Sequence, residues 1–160
     1  MKKLLRCFML VLIAAMFMFT AAGVAAAEVK QVKGQTLYIP YYTSFIGHGR
    51  DYSLKATTYI HNTDRHNAIS ITKIDYYSTS GKLVEKHLPQ PLKLNPLAAT
   101  RISVKEPLRG EEGTGAHLLI QWQADNKVTE PLIEGVFLGS EGTHGYSFSS
   151  QARVIQEDAN

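Results

Sequence analysis

Beyond residue 35 the chain has no apolar repeat at helical spacing long enough for a core helix. Its apolar residues alternate in short runs broken by Gly, Pro, Asn and Asp. Such a pattern predicts an all-β fold. In Tyr52–His61, Leu54, Ala56, Thr58 and Ile60 share one face, and Ser53, Lys55, Thr57, Tyr59 and His61 share the other. Ala68–Ser78 carries Ile69 and Ile71 in one phase and Ile74 and Tyr76 in the opposite one, which predicts a bulge near Thr72 and Lys73. Ala98–Lys105 and His117–Ala124 alternate strictly. Leu132–Gly139 has apolar residues in both phases and reads as a strand covered on both sides.

Further strands are predicted over Thr36–Tyr42, Lys82–Leu88, Tyr146–Ser150 and Ala152–Ile155. Between Leu88 and Pro96, three prolines remove ladder donors, so this stretch should cross between two sheets along an edge. About eight short strands with such a crossover predict an immunoglobulin-like antiparallel β-sandwich, with a small β-barrel as the alternative. Tyr76, Trp122 and Phe148 are assigned to the core. One domain suffices: residues 36–155, preceded by an extension at 28–35 and followed by a tail at 156–160.

Residues 1–27 read as a secretory signal peptide. Lys2, Lys3 and Arg6 form a positive start, Cys7–Phe19 an apolar core, and Ala25-Ala26-Ala27 a small-residue cleavage site. An uncleaved anchor is the weaker alternative, because the strongly apolar run is shorter than the ~18 to 20 residues a spanning helix wants. Export would place the domain in the periplasm or outside the cell, with no membrane insertion after cleavage. The one cysteine, Cys7, would leave with the peptide.

Charge narrows the partners. Of 17 Lys and Arg, three lie in the leader, so 14 remain against 14 Asp and Glu. A balanced chain without basic clusters argues against nucleic acid.

Several segments carry a family resemblance. Leu37-Tyr38-Ile39-Pro40-Tyr41-Tyr42, Ile60-His61-Asn62-Thr63-Asp64, Asp75-Tyr76-Tyr77 leading to Ser80-Gly81-Lys82-Leu83-Val84, Leu94-Asn95-Pro96-Leu97-Ala98 and Glu130-Pro131-Leu132-Ile133-Glu134 together resemble a bacterial family catalogued as domain of unknown function 3124. That resemblance spans about Gln35 to Ile155 and implies an exported bacterial protein, but no activity.

If successive strands run antiparallel, one end of the domain gathers Thr43–Asp51, Thr79–Gly81, Glu106–Ala116 and Ser140–Gly145. With Gly139 at their edge, these loops hold nine of the eleven glycines that follow the leader. Glycine admits close backbone approach, and loops on a rigid scaffold often carry recognition. His48, Arg50, Asp51, Arg109, Glu141 and His144, with Glu111 and Glu112, are therefore candidate ligand residues. Turn chemistry alone also explains the glycines.

His48, His117 and His144, or His61 with Asp64 and His66, are candidate ligands for Cu or Zn, although neither set has a diagnostic spacing. No cofactor is otherwise expected. Catalytic motifs are absent: there is no Gly-x-Ser-x-Gly elbow, His-Glu-x-x-His helix or phosphate-binding loop. Glu130 and Glu134 offer an acid–base pair, but their even spacing puts them on one strand face, where charges are usually solvated. Tyr38, Tyr41, Tyr42, Tyr52 and Tyr59 crowd the first strands and suit either strand packing or a contact platform. The expectation is a non-catalytic exported module with an unknown protein or carbohydrate partner. A metal-binding protein and a hydrolase of envelope polymers are the alternatives.

Overall fold

A computed structural model describes residues 29–47, 49–105 and 107–158. The expected signal peptide and His48 lie outside the described residues. In chain order the strands are β1 (Gln31–Pro40), β2 (Ser44–Gly47), β3 (Arg50–Ser53), β4 (Lys55–His61), β5 (Ile69–Tyr77), β6 (Leu83–Lys86), β7 (Leu92–Leu94) and β8 (Ala99–Ile102). A one-turn helix α1 (Glu111–Thr114) precedes β9 (His117–Thr129), β10 (Leu132–Glu141), β11 (His144–Gln151) and β12 (Arg153–Glu157).

These strands form an immunoglobulin-like antiparallel β-sandwich. The larger sheet has six strands in the order β12-β1-β9-β5-β6, with β7 also on β5; the smaller has four, β11-β10-β4-β8. The chain changes sheets between β11 and β12, where the Ala152 amide donates to the Ile133 carbonyl at 2.9 Å. On the opposite side β8 pairs with neither β6 nor β7, so the small-barrel alternative is not realised.

Between the sheets lie Leu37 and Ile39 of β1, Ile74 and Tyr76 of β5, and Leu118, Ile120 and Trp122 of β9. They face Ile60 of β4 with Ile133 and Phe137 of β10, and all are buried. Each such side chain contributes about 1.5–3 kcal/mol by leaving water. The bulge lies where the change of phase puts it: the β5–β9 register shifts between Ile71 and Lys73, and Ile69, Ile71, Ile74 and Tyr76 are all buried. Polar costs accompany this core. Gln35 Oε1, Thr58 Oγ1 and Trp122 Nε1 are buried without a hydrogen-bond partner among the described residues.

Several expectations need correction. The first strand begins at Gln31, inside the expected extension, because Val32 still pairs with Val128. Likewise β12 runs to Glu157, inside the expected tail. Tyr52–His61 is broken at Leu54 into β3 and β4, and β3 pairs with β2 as a separate hairpin where a loop was expected. The proline stretch contains the short edge strand β7, after which the chain passes to the other sheet.

Among the described residues β10 is covered on one side only: Leu132 and Leu138 are 41% and 50% exposed, and no described segment packs on the outer face of the smaller sheet. Phe148 is 41% exposed rather than core, because β11 is an edge strand; its ring still stacks on Phe137 at 4.7 Å.

A polar knot closes one end of the sandwich. Asn62 Nδ2 donates to the carbonyls of Asn67 (2.9 Å), Leu94 (3.2 Å) and Asn95 (3.0 Å), while its Oδ1 accepts from the Asp64 amide at 3.0 Å. Asp64 Oδ1 accepts from the His66 and Asn67 amides, both at 2.8 Å, and from Asn67 Nδ2 at 3.2 Å. Its Oδ2 accepts from the Thr129 amide at 3.1 Å. These bonds hold the carboxyl at about 2, below the usual 3.8.

At the other end, two buried tyrosines pin the long connection after β8. Tyr41 donates its hydroxyl to the Ala56 carbonyl (2.9 Å) and accepts from the Val104 amide (2.8 Å), and the Tyr76 hydroxyl accepts from the Leu108 amide (3.1 Å).

Tyr41→Phe is expected to destabilise the domain by about 1–3 kcal/mol, because it strands a buried amide and a carbonyl. Urea unfolding with an unchanged m value checks this. For Asp64 the folded carboxyl titrates below the unfolded one, so its contribution is complete above pH 3.8 and is lost as pH falls toward about 2. Asp64→Asn should flatten that acid limb in unfolding measured across this range.

Candidate functional site

The glycine-rich end assembles from four connections, as their alternation along the chain implies. Thr43 donates its hydroxyl to the Leu108 carbonyl at 2.6 Å, and the Thr79 amide donates to the Glu112 carbonyl at 3.0 Å. The Gly115 amide donates to Thr79 Oγ1 at 2.8 Å, and Arg50 Nη1 lies 3.5 Å from Glu141 Oε1. Gly113 is required here: a Cβ would overlap Thr43 Oγ1 and the Leu108 carbonyl.

Within this end an aromatic cluster stands at the tip. Phe45 of β2 and Tyr52 of β3 are cross-strand partners with stacked rings, 4.9 Å between centroids and 12° between planes. Tyr146 of β11 meets both edge-on, at 5.4 and 6.4 Å. The Tyr146 ring lies over Gly139, its partner on β10, where a Cβ would overlap it. Tyr146 also donates to the Ser53 carbonyl at 3.4 Å, joining the hairpin to the smaller sheet. Phe45 is 38% and Ile46 72% exposed, so the cluster presents apolar surface beside its hydroxyls.

Charged groups rim the cluster. Arg50 pairs with Glu141, and Arg109 Nη1 lies 3.5 Å from Ser53 Oγ. His144 is the cross-strand partner of Glu141, and exposed Asp51 is the partner of Ile46. Partial desolvation, then the nearby Glu141 carboxylate, raises the Tyr52 hydroxyl above its ordinary value. Glu111 and Glu112 sit on α1 toward the β5–β6 turn. There the Ser78 and Ser80 hydroxyls lower the Glu112 carboxyl, with Ser80 Oγ 3.0 Å from its Oε2.

Of the first candidate metal set, the two described histidines, His117 and His144, do not gather. His117 lies between the rings of Tyr38 (4.6 Å) and Tyr77 (5.3 Å) on the larger sheet, and burial lowers its pKa. His144 belongs to the smaller sheet. Among the described residues no three His, Cys, Asp or Glu side chains converge on a metal position. In the other proposed set, Asp64 already spends both oxygens on N–H donors, and His61 stacks with Tyr59 at 6.3 Å. Glu130 is taken by Gln35 Nε2 and by Lys30 at 3.2 Å, while Glu134 pairs opposite Tyr59 on β4.

The tyrosines divide by register. Tyr41 is buried and serves the fold, Tyr42 tilts against Phe137 at 5.4 Å, and Tyr38 and Tyr59 lie on opposite sheets. Phe45, Ile46 and Tyr146 belong to this exposed cluster and were missed by sequence reasoning. The available signal was Gly47-His48-Gly49 flanked by Phe45 and Tyr52, a turn between two short aromatic arms.

Fold and tip together define a β-sandwich that displays an aromatic loop end. The chain belongs to the family described as protein of unknown function (DUF3124), whose model matches residues 34–155. A crystal structure of the Thermotoga maritima protein designated 1070 is similar over 78% of this chain and 97% of its own, with 13% identity and a TM-score of 0.48. No curated protein matches the chain.

Gly139→Ala is expected to displace the Tyr146 ring. It should lower stability by about 1–3 kcal/mol and weaken the near-ultraviolet circular dichroism of the stacked aromatics.

Proposed function

We propose that this protein is an exported, non-catalytic binding module whose contact surface is the aromatic tip formed by Phe45, Tyr52 and Tyr146. The observation that carries the reading is this three-ring cluster, anchored by Gly139 and edged by exposed Ile46. A rigid aromatic centre inside a polar rim is the anatomy of a recognition surface, and here Arg50, Arg109 and Glu141 supply the rim. The partner is a protein or a carbohydrate, since aromatic faces with hydroxyls and a few charges suit both.

Export rests on the charged start, apolar core and alanine-rich end of residues 1–27. Balanced charge in the remaining chain favours a partner other than nucleic acid.

Expressed in a bacterium with its leader, the protein recovered from outside the cytoplasm should begin at Glu28 by intact mass; a full-length cytoplasmic product contradicts export. For the tip, a photo-cross-linking residue replacing Ile46 should capture an envelope component in intact cells, and Tyr52→Ala should abolish the adduct. The same residue at exposed Leu97, at the opposite end, should capture none. Equal capture at both positions, or none at 46, defeats the reading.

A further inference from the structure

The outer face of the smaller sheet carries a second arrangement that the aromatic tip does not use. A groove of about 490 Å³ is lined by Lys55, Thr57 and Tyr59 of β4, by Arg101 and Ser103 in and just after β8, and by Leu138 of β10. Register explains the grouping. Tyr59 is directly opposite Arg101, Lys55 is directly opposite Leu138, and Thr57 Oγ1 lies 3.4 Å from Ser103 Oγ. Period-two alternation turns all three β4 residues outward, away from buried Ala56, Thr58 and Ile60.

Among the described residues no carboxylate lies within 4.0 Å of Lys55 or Arg101, a state they share with other exposed cations such as Lys86 and Lys127; what points to a ligand is that these two line one groove. Glu134, opposite Tyr59 on β10, makes no ion pair with either cation. Between and around these two positive charges sit an aromatic ring, an aliphatic side chain and two hydroxyls.

We propose that this face binds an acidic polysaccharide, with Lys55 and Arg101 meeting its carboxylates, Tyr59 stacking on a sugar ring, and Thr57 and Ser103 exchanging hydrogen bonds with its hydroxyls. Charge complementarity requires an anion, and guanidinium matches a carboxylate fork. Tyrosine and the paired hydroxyls supply the flat face and the donor–acceptor groups that a sugar presents. Lys55 and Tyr59 are four residues apart on one strand, about 13 Å, which favours an extended polymer over a single sugar. An acidic peptide fits less well: added along the free edge of β8 it would lie beside Arg101 but leave Lys55 and Tyr59, on the inner strand β4, without a contact. An anionic membrane calls for a cluster of basic residues rather than two.

Affinity electrophoresis of the purified protein through gels containing polygalacturonate or neutral dextran tests this. Retardation is expected in polygalacturonate alone, weakening as salt rises. Lys55→Gln with Arg101→Gln should raise the dissociation constant at least about tenfold, and Tyr59→Ala should do likewise. Tyr59→Phe should retain most of the affinity. Thermal unfolding of each variant confirms that the fold survives, and Lys86→Gln, which removes an exposed cation from β6 of the larger sheet, should leave the retardation unchanged. Equal retardation in dextran overturns the proposal, as does retardation indifferent to Lys55 and Arg101, no retardation at all, or binding to phosphatidylglycerol vesicles in place of the polysaccharide.

Discussion

The Asp64 carboxylate organises one end of this sandwich. With its two oxygens it collects the amides of His66, Asn67 and Thr129 and the Asn67 side chain, while Asn62 holds the Leu94 and Asn95 carbonyls. Three stretches far apart in sequence therefore meet at one turn: the β4–β5 connection, the crossing to β8 and the end of β9. Nothing apolar could substitute, because backbone groups leaving strand ladders at this point need partners. The left-handed backbone at Leu97, φ 58°, belongs to the same closure, and its amide donates to the Asp64 carbonyl at 3.1 Å.

That closure gives the molecule two unlike ends. Around Asp64 the chain is fastened by side chains specific to one geometry. At the opposite end the connections are held by backbone bonds, by the buried hydroxyls of Tyr41 and Tyr76 and by glycines, and the β2–β3 hairpin projects Phe45 and Ile46 toward solvent. A fixed frame at one end and aromatic loops at the other is the division of labour expected of a recognition scaffold. The outer face of the smaller sheet is a separate surface, built by strand alternation rather than by loops.

Much of the frame was legible in the residues. Alternation located the buried faces of β4 and β9, and the change of phase between Ile71 and Ile74 located the bulge. Gathering of the glycine-rich connections followed from antiparallel order alone. The site was harder to read. β2 and β3 have four residues each, too short for period two to declare itself, so Phe45 and Ile46 looked like loop. Exposed Leu132 and Leu138 were misread because a sequence shows apolar residues on two faces without showing whether a second layer covers both. Asn62-Thr63-Asp64 was recognisable as a turn, but its bond to Thr129 depends on a strand sixty-odd residues away. The dispersal of His117 and His144 onto different sheets likewise depends on pairing that no local spacing encodes.

Native-state hydrogen exchange tests the central claim of one fastened and one presenting end. The amides of His66, Asn67 and Thr129 should exchange only through global unfolding, at the rate of the β9 core amides of Ile120 and Trp122. Those of the β2–β3 hairpin should exchange faster through local opening. Rapid local exchange at Thr129, with hairpin amides protected to the global limit, would contradict it.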